Sequence, residues 1–293
     1  MLTRAIMAAR MICACVDIGT NTTRVLVADV KDGRLNEVLQ QRVFTRIGTQ
    51  AEIPHAKIQE VAHVVSEQVA LAATAGAERV RVVATACIRA AVNRDEFLAG
   101  MTEDVEILDG NEEARLAFLG ATETLGRDLP GVVGVVDVGG GSTEIAVGTT
   151  AGGVEWSASF LVGSGQLAER YLRSDPPSPD ELAAVREHAR EVLETREIPP
   201  VEAAVAVGGS AASLRRLVGD ALDPGSLKRA LEKLCAGPCD EVAAELTLLP
   251  DRVRLLPAGI LVLGAAAQRL GRPLQIGNGG LREGLLLDMA RTL

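Results

Sequence analysis

Residues 135–148, VVDVGGGSTEIAVG, decide the fold of this chain. The first part, through Val138, is apolar and largely β-branched, which predicts a buried strand. A second apolar run follows a break that consists of Gly139, Gly140, Gly141, Ser142 and Thr143. We therefore predict a strand, a tight turn and a second strand. Backbone amides in such a glycine-rich turn can approach an anion closely, and Asp137 at its mouth could hold a cation beside that anion.

A second copy of this pattern lies near the start of the chain. Residues 16–27, VDIGTNTTRVLV, align with residues 136–147 without a gap, at the offset of 120 residues that separates Asp137 from Asp17. Two such hairpins indicate two similar half-molecules that face one another. A phosphate chain could then be held from both sides, and the turn of the first copy consists of Gly19, Thr20, Asn21 and Thr22.

Composition restricts the classes of function. The chain has 293 residues, 47% of them hydrophobic, and a formal net charge of −9, which argues against a general nucleic-acid-binding protein. Five scattered cysteines predict neither a disulfide framework nor a zinc site, and the three histidines lack metal-ligand spacing, so acid–base chemistry should fall to carboxylates. We find no convincing signal peptide, and the uncharged run Leu255–Ala267 is too short to span a membrane. A cytoplasmic location is expected, with residues 1–10 as a loose extension.

Strands, among them Arg79–Ala84, Ala203–Val207 and Leu274–Ile276, alternate with helices along the chain, which predicts an α/β fold. Pro130-Gly131 separates the helix Glu112–Leu125 from the central hairpin, and we place a domain boundary there, giving domains 1–128 and 129–293. Further glycine-rich turns follow strands near residues 208 and 279, at the sheet edge where ligands of α/β proteins bind. The turn at Gly208, Gly209 and Ser210 precedes a helix that is predicted to begin near Ala211, and it is suited to an anion. An ordinary transition from strand to helix would give the same pattern.

Hydrolysis of a phosphoanhydride needs charge stabilisation on the phosphoryl oxygens, an oriented water and a metal ion. The amides of the two turns and Arg89 could stabilise charge, and Asp17 and Asp137 are candidate metal ligands. Candidates for orienting the water are Glu112, Glu113 and Glu144. Acids in the first turn of a helix also favour the helix dipole without any catalytic role, so residues alone leave this choice open.

Several motifs, in this order, resemble the exopolyphosphatase/guanosine pentaphosphate phosphohydrolase (Ppx/GppA) family of the actin–Hsp70–sugar-kinase superfamily. They are Asp17–Asp29, Asn111–Phe118, Asp137–Glu144, Gly208–Ser210 and Gly280–Leu287. The resemblance implies two ribonuclease-H-like (actin-like) domains with the active site in the cleft between them, and a last helix that packs back on the first domain. It also implies Mg²⁺-dependent release of terminal phosphate, with Mn²⁺ as an alternative ion.

The same resemblance assigns roles to residues. Glu113 would be the base that activates water, and Asp17, Asp137 and Glu144 would hold the metal, with Glu144 also assisting the water. Phosphate would be bound by Arg89, Thr20 to Thr22, Gly139 to Ser142 and the neighbouring turn residues. Departures from the family pattern at Ala86, Gln166, Arg254 and Asn278 put the choice of substrate in doubt.

The sequence therefore predicts an exopolyphosphatase acting on short inorganic polyphosphate, with guanosine pentaphosphate as the alternative substrate. Two other classes stay open, a kinase of the same superfamily and a non-catalytic sensor of a phosphorylated alarmone. No nucleic-acid or membrane partner is expected, and a homodimer is left open.

Overall fold

A computed structural model describes residues 11–127 and 129–291. The loose extension predicted for residues 1–10 lies outside the described part. The chain forms two sheets with helices on both faces, a five-stranded sheet from its first part and a six-stranded sheet from its second.

The first sheet has the order β3-β2-β1-β4-β5. Its strands are β1 (Met11–Ile18), β2 (Thr23–Lys31), β3 (Arg34–Val43), β4 (Arg79–Ala84) and β5 (Val105–Ile107). Strands β1, β2 and β3 are antiparallel neighbours, whereas β4 and β5 run parallel to β1. One face packs against the long helix α1 (His55–Thr74) and the short helices α2 (Ala86–Ala90) and α3 (Arg94–Ala99) in one apolar core.

The second sheet repeats this plan. Its strands are β6 (Val133–Val138), β7 (Thr143–Thr149), β8 (Gly153–Phe160), β9 (Ala203–Val207), β10 (Ala221–Leu222) and β11 (Leu274–Ile276), in the order β10-β11-β9-β6-β7-β8. Strands β6, β7 and β8 are antiparallel, and β9 runs parallel to β6 as β4 does to β1. Because helices cover both faces, β6 and β7 are buried along almost their whole length.

The described residues from 129 onwards contain seven helices. They are α5 (Ser164–Tyr171), α6 (Pro179–Leu193), α7 (Gly208–Val218), α8 (Pro224–Leu234), α9 (Cys239–Leu246), α10 (Pro250–Leu270) and α11 (Leu281–Arg291). Among the described residues, only α10 is long and apolar enough to cross a membrane, and 67% of its apolar window is buried. It packs against α5, α6, α8 and α9, so its apolar surface belongs to the core of the second half.

Two helices cross between the halves. Helix α4 (Gly110–Thr124) precedes the second sheet in sequence, yet it packs on β6, β7 and β8 of that sheet through Ala117, Phe118 and Ala121. Helix α11 ends the described chain and packs on the first sheet through Leu285, Leu286 and Leu287. The two helices contact one another closely at Gly120 and Gly284, where an added Cβ would overlap the backbone of the partner helix.

The predicted fold class, α/β with two such units around a cleft, is confirmed. The helix predicted to begin near Ala211 instead begins at Gly208. Several helices were not predicted, among them α8, α9 and α10. The short amphipathic patterns of α8 and α9 stand between proline and glycine residues, and α10 contains Pro257 and Gly259. The domain boundary at residues 128/129 remains our proposal, since α4 and α11 each lie on the sheet of the other half.

Candidate active site

The two glycine-rich turns have the same local structure. Gly19 N donates to the Thr22 carbonyl over 3.1 Å, and Gly139 N donates to the Ser142 carbonyl over 3.0 Å. The turns also face one another, because a Cβ added to Gly140 would lie 2.5 Å from Asn21 Nδ2. Only glycine therefore fits at this contact, and the two turns form opposite walls of a single cleft.

The cleft has a volume of about 340 Å³. It contains most of the residues that the sequence predicted for the site: Asp17, Gly19, Thr20, Asn21, Thr22, Glu113, Asp137, Gly139, Gly140, Gly141, Ser142, Glu144, Gly208, Gly209 and Ser210. Two predicted residues are not among those that line it, Arg89 and Thr143. The Thr143 side chain is fully buried and its hydroxyl donates to the Val162 carbonyl over 2.6 Å, so this side chain supports the turn from behind. A contact of Thr143 with phosphate stays a prediction.

Six carboxyl groups of the described residues line the cleft, and four of them belong to the predicted site residues Asp17, Glu113, Asp137 and Glu144. Asp137 and Glu144 are paired neighbours on β6 and β7, while Asp17 ends β1 and Glu113 lies in the first turn of α4. Burial, followed by the charges of Glu144 and Asp17, raises the pKa of Asp137 to about 7. Burial also raises the pKa of Asp17, against the opposing effect of Arg24. Buried acids that raise one another's pKa form a site with high affinity for positive charge.

Glu113 is only 4% exposed and forms an ion pair with Arg89, whose guanidinium also donates to the Leu108 carbonyl over 2.6 Å. Burial and the neighbouring Glu144 raise the pKa of Glu113 to about 9. The adjacent Glu112 points elsewhere and binds Arg115 on the far side of α4. The structure thus separates two candidates that the sequence could not, and it places Arg89 against Glu113 instead of in the phosphate-binding wall.

The donor chemistry of this cluster fits a hard divalent cation. Among the described residues, however, no three His, Cys, Asp or Glu side chains converge closely enough to form a complete metal cage. Mg²⁺ is commonly held by one or two carboxylates together with substrate phosphates and water. An ion that is completed by its substrate therefore needs only one or two of Asp17, Asp137 and Glu144 as ligands.

The third turn brings a helix terminus to the same place. Gly208 has φ of +86°, and a Cβ there would overlap Asp137 Oδ1. Helix α7 begins at this residue, so its free amides open into the cleft beside Asp137.

Four arginines line the cleft, and none of them was predicted as a site residue: Arg24, Arg42, Arg252 and Arg282. A Cβ on Gly209 would lie 2.9 Å from Arg252 Nη1 and 3.1 Å from Arg24 Nη2, so two guanidinium groups converge over the start of α7. Burial and Arg42 lower the pKa of Arg252 to about 10, and no carboxylate forms an ion pair with Arg42 or Arg252 in the part of the chain that is described.

The internal repeat offered a signal for one of these arginines. Arg24 occupies the position in the first hairpin that Glu144 occupies in the second. The other three come from a strand edge and two helices, where sequence alone gives no sign that they converge. Of the departures from the family pattern, Ala86 and Asn278 line the cleft, whereas Gln166 and Arg254 do not.

Comparison with known proteins agrees with this geometry. Residues 26–293 match the Ppx/GppA phosphatase family. Exopolyphosphatase 2 of Mycobacterium tuberculosis is 32% identical over an alignment that covers 94% of this chain and 98% of that protein. The guanosine-5'-triphosphate,3'-diphosphate pyrophosphatase of Aeromonas hydrophila is 26% identical, with 94% of this chain and 59% of that protein covered.

A crystal structure of the Aquifex aeolicus Ppx/GppA family member superposes with a TM-score of 0.81, at 28% identity, covering 97% of this chain and 99% of that one. Fold, cleft and sequence relatives all agree with the resemblance in the motifs. The chain belongs to the Ppx/GppA phosphatase family.

Proposed function

We propose that this chain is an exopolyphosphatase that uses a divalent cation, Mg²⁺, to release terminal orthophosphate from short linear polyphosphate. The observation that carries the proposal is the set of charged side chains that line the cleft. Asp17, Glu113, Asp137 and Glu144 line the cavity together with the glycine-rich turns, and four arginines line the same cavity. Acids suit the metal and water at the reacting phosphate, and arginines suit the phosphates further along the chain.

In this mechanism Glu113 takes a proton from the attacking water. Its carboxylate is buried beside Arg89, which would keep it oriented and would oppose the rise in its pKa, and a bound divalent cation would further favour the ionised form. The amides of both turns and of the start of α7 would hold the oxygens of the terminal phosphate. The proton then passes to the departing phosphate chain, so that orthophosphate and a polymer shorter by one unit are formed.

The bound ion would neutralise charge on the phosphoryl oxygens. Asp17 and Asp137 would hold it from the two halves of the molecule, and Glu144 would contribute from β7 beside Asp137. A complete protein cage is not needed, since phosphate oxygens supply the remaining ligands.

The lining of the cleft favours inorganic polyphosphate over guanosine pentaphosphate. Among its described lining residues there is no aromatic side chain on which a guanine could stack. Arg24 and Arg252 converge over Gly209 instead, and a pair of guanidinium groups binds phosphate oxygens whatever is attached further along. The Aeromonas relative acts on a guanosine substrate by its name, so that substrate is the competitor to test.

The same proposal places the enzyme in the cytoplasm. All five cysteines are free thiols, which is the state favoured by a reducing compartment. The homodimer that the sequence left open is untested.

The decisive experiment measures orthophosphate release from tripolyphosphate, tetrapolyphosphate, long-chain polyphosphate and guanosine pentaphosphate on one preparation, with Mg²⁺, Mn²⁺ or EDTA. We expect the highest kcat/KM on short polyphosphate and no release in EDTA. Higher kcat/KM on guanosine pentaphosphate would reverse the choice of substrate. Phosphoryl transfer from ATP to a small acceptor, or binding without turnover, would replace the proposal with the kinase or the sensor.

A further inference from the structure

Strand β8 lies at the edge of the second sheet, where it pairs with β7 and packs against α4. Its Ser159 lies opposite Glu144 in the register of the two strands. The Ser159 hydroxyl donates to Glu144 Oε1 over 2.7 Å. Because Glu144 is only 4% exposed, water cannot easily replace this hydrogen bond when it is lost.

The other side of Ser159 contacts the helix that carries Glu113. Gly110 is the first residue of α4, and a Cβ there would overlap the Ser159 Cβ. The missing Cβ lets the first turn of α4 lie directly on β8. Glu113 follows three residues later, so the height of this turn above the strand sets where its carboxylate stands relative to Glu144.

We propose that Ser159 is a positioning residue that fixes the separation of Glu113 and Glu144. Its hydroxyl orients Glu144, and its Cβ, packed against Gly110, fixes the distance between α4 and β8. Neither contact touches substrate. The inference rests on the proposed function, in which Glu113 activates water and Glu144 acts beside it, and a displacement of about 1 Å between such groups is enough to lower turnover greatly.

The same strand supplies a matched control. Ser157 lies two residues earlier on β8 and donates to Asn111 Oδ1 over 3.2 Å, again in the first turn of α4. Both serines therefore tie β8 to α4, but only Ser159 touches a carboxyl group of the cleft. Removing the Ser157 hydroxyl costs a similar contact without disturbing either acid.

The experiment compares Ser159→Ala and Ser157→Ala in the full chain with tripolyphosphate and Mg²⁺. We expect Ser159→Ala to lower kcat by about tenfold or more, as loss of a residue that orients a ligand carboxylate does, with little change in KM. Ser157→Ala should keep the wild-type kcat. Both variants should melt at about the same temperature, because each loses one hydroxyl on the same strand.

Two further measurements separate position from packing. Calorimetric binding of tripolyphosphate in EDTA should be the same for wild type and Ser159→Ala, since the hydroxyl does not face the substrate. Gly110→Ala should lower kcat by lifting α4 off β8. The double variant Gly110→Ala/Ser159→Gly should have the same kcat as Ser159→Ala. Removing the Ser159 Cβ makes room for the added Cβ at position 110, but the hydroxyl is still missing.

Equal kcat values for Ser159→Ala and wild type overturn the inference, and so do equal losses in the two serine variants. Weaker phosphate binding by Ser159→Ala in EDTA also overturns it, since the residue would then act on the substrate. If Gly110→Ala does not fold, the two serine variants decide alone. A wild-type protein that releases no phosphate rejects the proposed function itself, which distinguishes that failure from this one.

Discussion

Glu113 and Glu112 are adjacent acids on α4 with opposite surroundings. Glu113 is buried against Arg89 in the cleft, whereas Glu112 binds Arg115 outside it. If Glu113 is the base, Glu113→Gln should lower kcat by about 100-fold or more, because general-base catalysis contributes roughly 10²–10⁴. Glu112→Gln should leave kcat nearly unchanged. Steady-state phosphate release with Mg²⁺ checks this pair, and comparable losses in both variants would assign the role elsewhere.

The raised pKa of Asp137 predicts how the stability of the metal-free protein depends on pH. Its pKa is raised from 3.8 to about 7, first by burial and then by Glu144 and Asp17. The folded state therefore keeps a proton that the unfolded chain loses near pH 4. The resulting stability is complete below about pH 4 and is lost as the pH rises through 7, by at most about 1.4 kcal/mol per pH unit.

Asp137→Asn should flatten this slope between pH 4 and 7. Urea unfolding in EDTA at several pH values measures it, with wild type in parallel. A slope that stays the same in the variant would mean that Asp137 is already ionised in the folded protein.

Arg252 and Arg254 give a second matched pair, two residues apart on α10. Arg252 is buried and lines the cleft, whereas Arg254 is exposed and lies outside it. Arg252→Gln should raise KM for tripolyphosphate by about tenfold or more, since a hydrogen bond to a charged group contributes roughly 1.5–3 kcal/mol. Arg254→Gln should leave KM near its wild-type value. The variant at 252 should also unfold at higher urea concentration, because it removes a buried cation without an acidic partner.

The sequence predicted some of the residues that line the cleft and missed others. Asp17 and Asp137 end strands before glycine-rich turns, and that local context predicted where they lie. Arg42 and Arg252 have no such context, because an arginine on an edge strand or in a helix is usually solvated. Only the assembled cleft brings them together.

At the level of elements, the contact between α4 and α11 depends on two glycines. A Cβ on Gly284 would overlap the Leu116 carbonyl, and one on Gly120 would overlap the Gly280 carbonyl. Gly284→Ala should therefore destabilise the protein by about 1–3 kcal/mol or more, as overpacking against rigid backbone does. Gly264→Ala on α10 is the control, because its Cβ would meet Leu227 at an ordinary 3.6 Å.

The control should be stabilised by up to about 1 kcal/mol, since alanine is the better helix former and has room there. Urea denaturation of both variants measures the difference. A Gly284→Ala variant that is as stable as the wild type would show that α4 and α11 can move apart without cost.

The strands and helices with a clear local sequence pattern were predicted best. Strands β4, β9 and β11 have the predicted bounds, because each is a short apolar run between clear breaks. The crossing of α4 to the second sheet was beyond local prediction. It depends on which of two sheets offers a matching apolar face, and Phe118 would satisfy either one in sequence.

For the molecule as a whole, the two hairpins form the cleft, and each half contributes one of the two aspartates that we propose as metal ligands. Asp17 comes from one half, Asp137 from the other, and Gly140 touches Asn21 across the gap. An ion held by both aspartates and by phosphate oxygens, as we propose, would tie the halves together. Binding of the ion and binding of the phosphate chain must then strengthen one another by the same factor.

This coupling gives a prediction for thermal unfolding. In Glu113→Gln, which should bind tripolyphosphate without cleaving it, Mg²⁺ and tripolyphosphate together should raise the melting temperature by more than the sum of their separate effects. A ligand at 100 times its Kd stabilises the folded state by about 2.7 kcal/mol, or several degrees for a chain of this size. Replacing Asp137 with Asn in the same background should abolish the excess, with NaCl at matched ionic strength as the control for screening. Simply additive shifts would mean that the ion and the phosphate chain occupy independent places, and that the facing aspartates do not share one site.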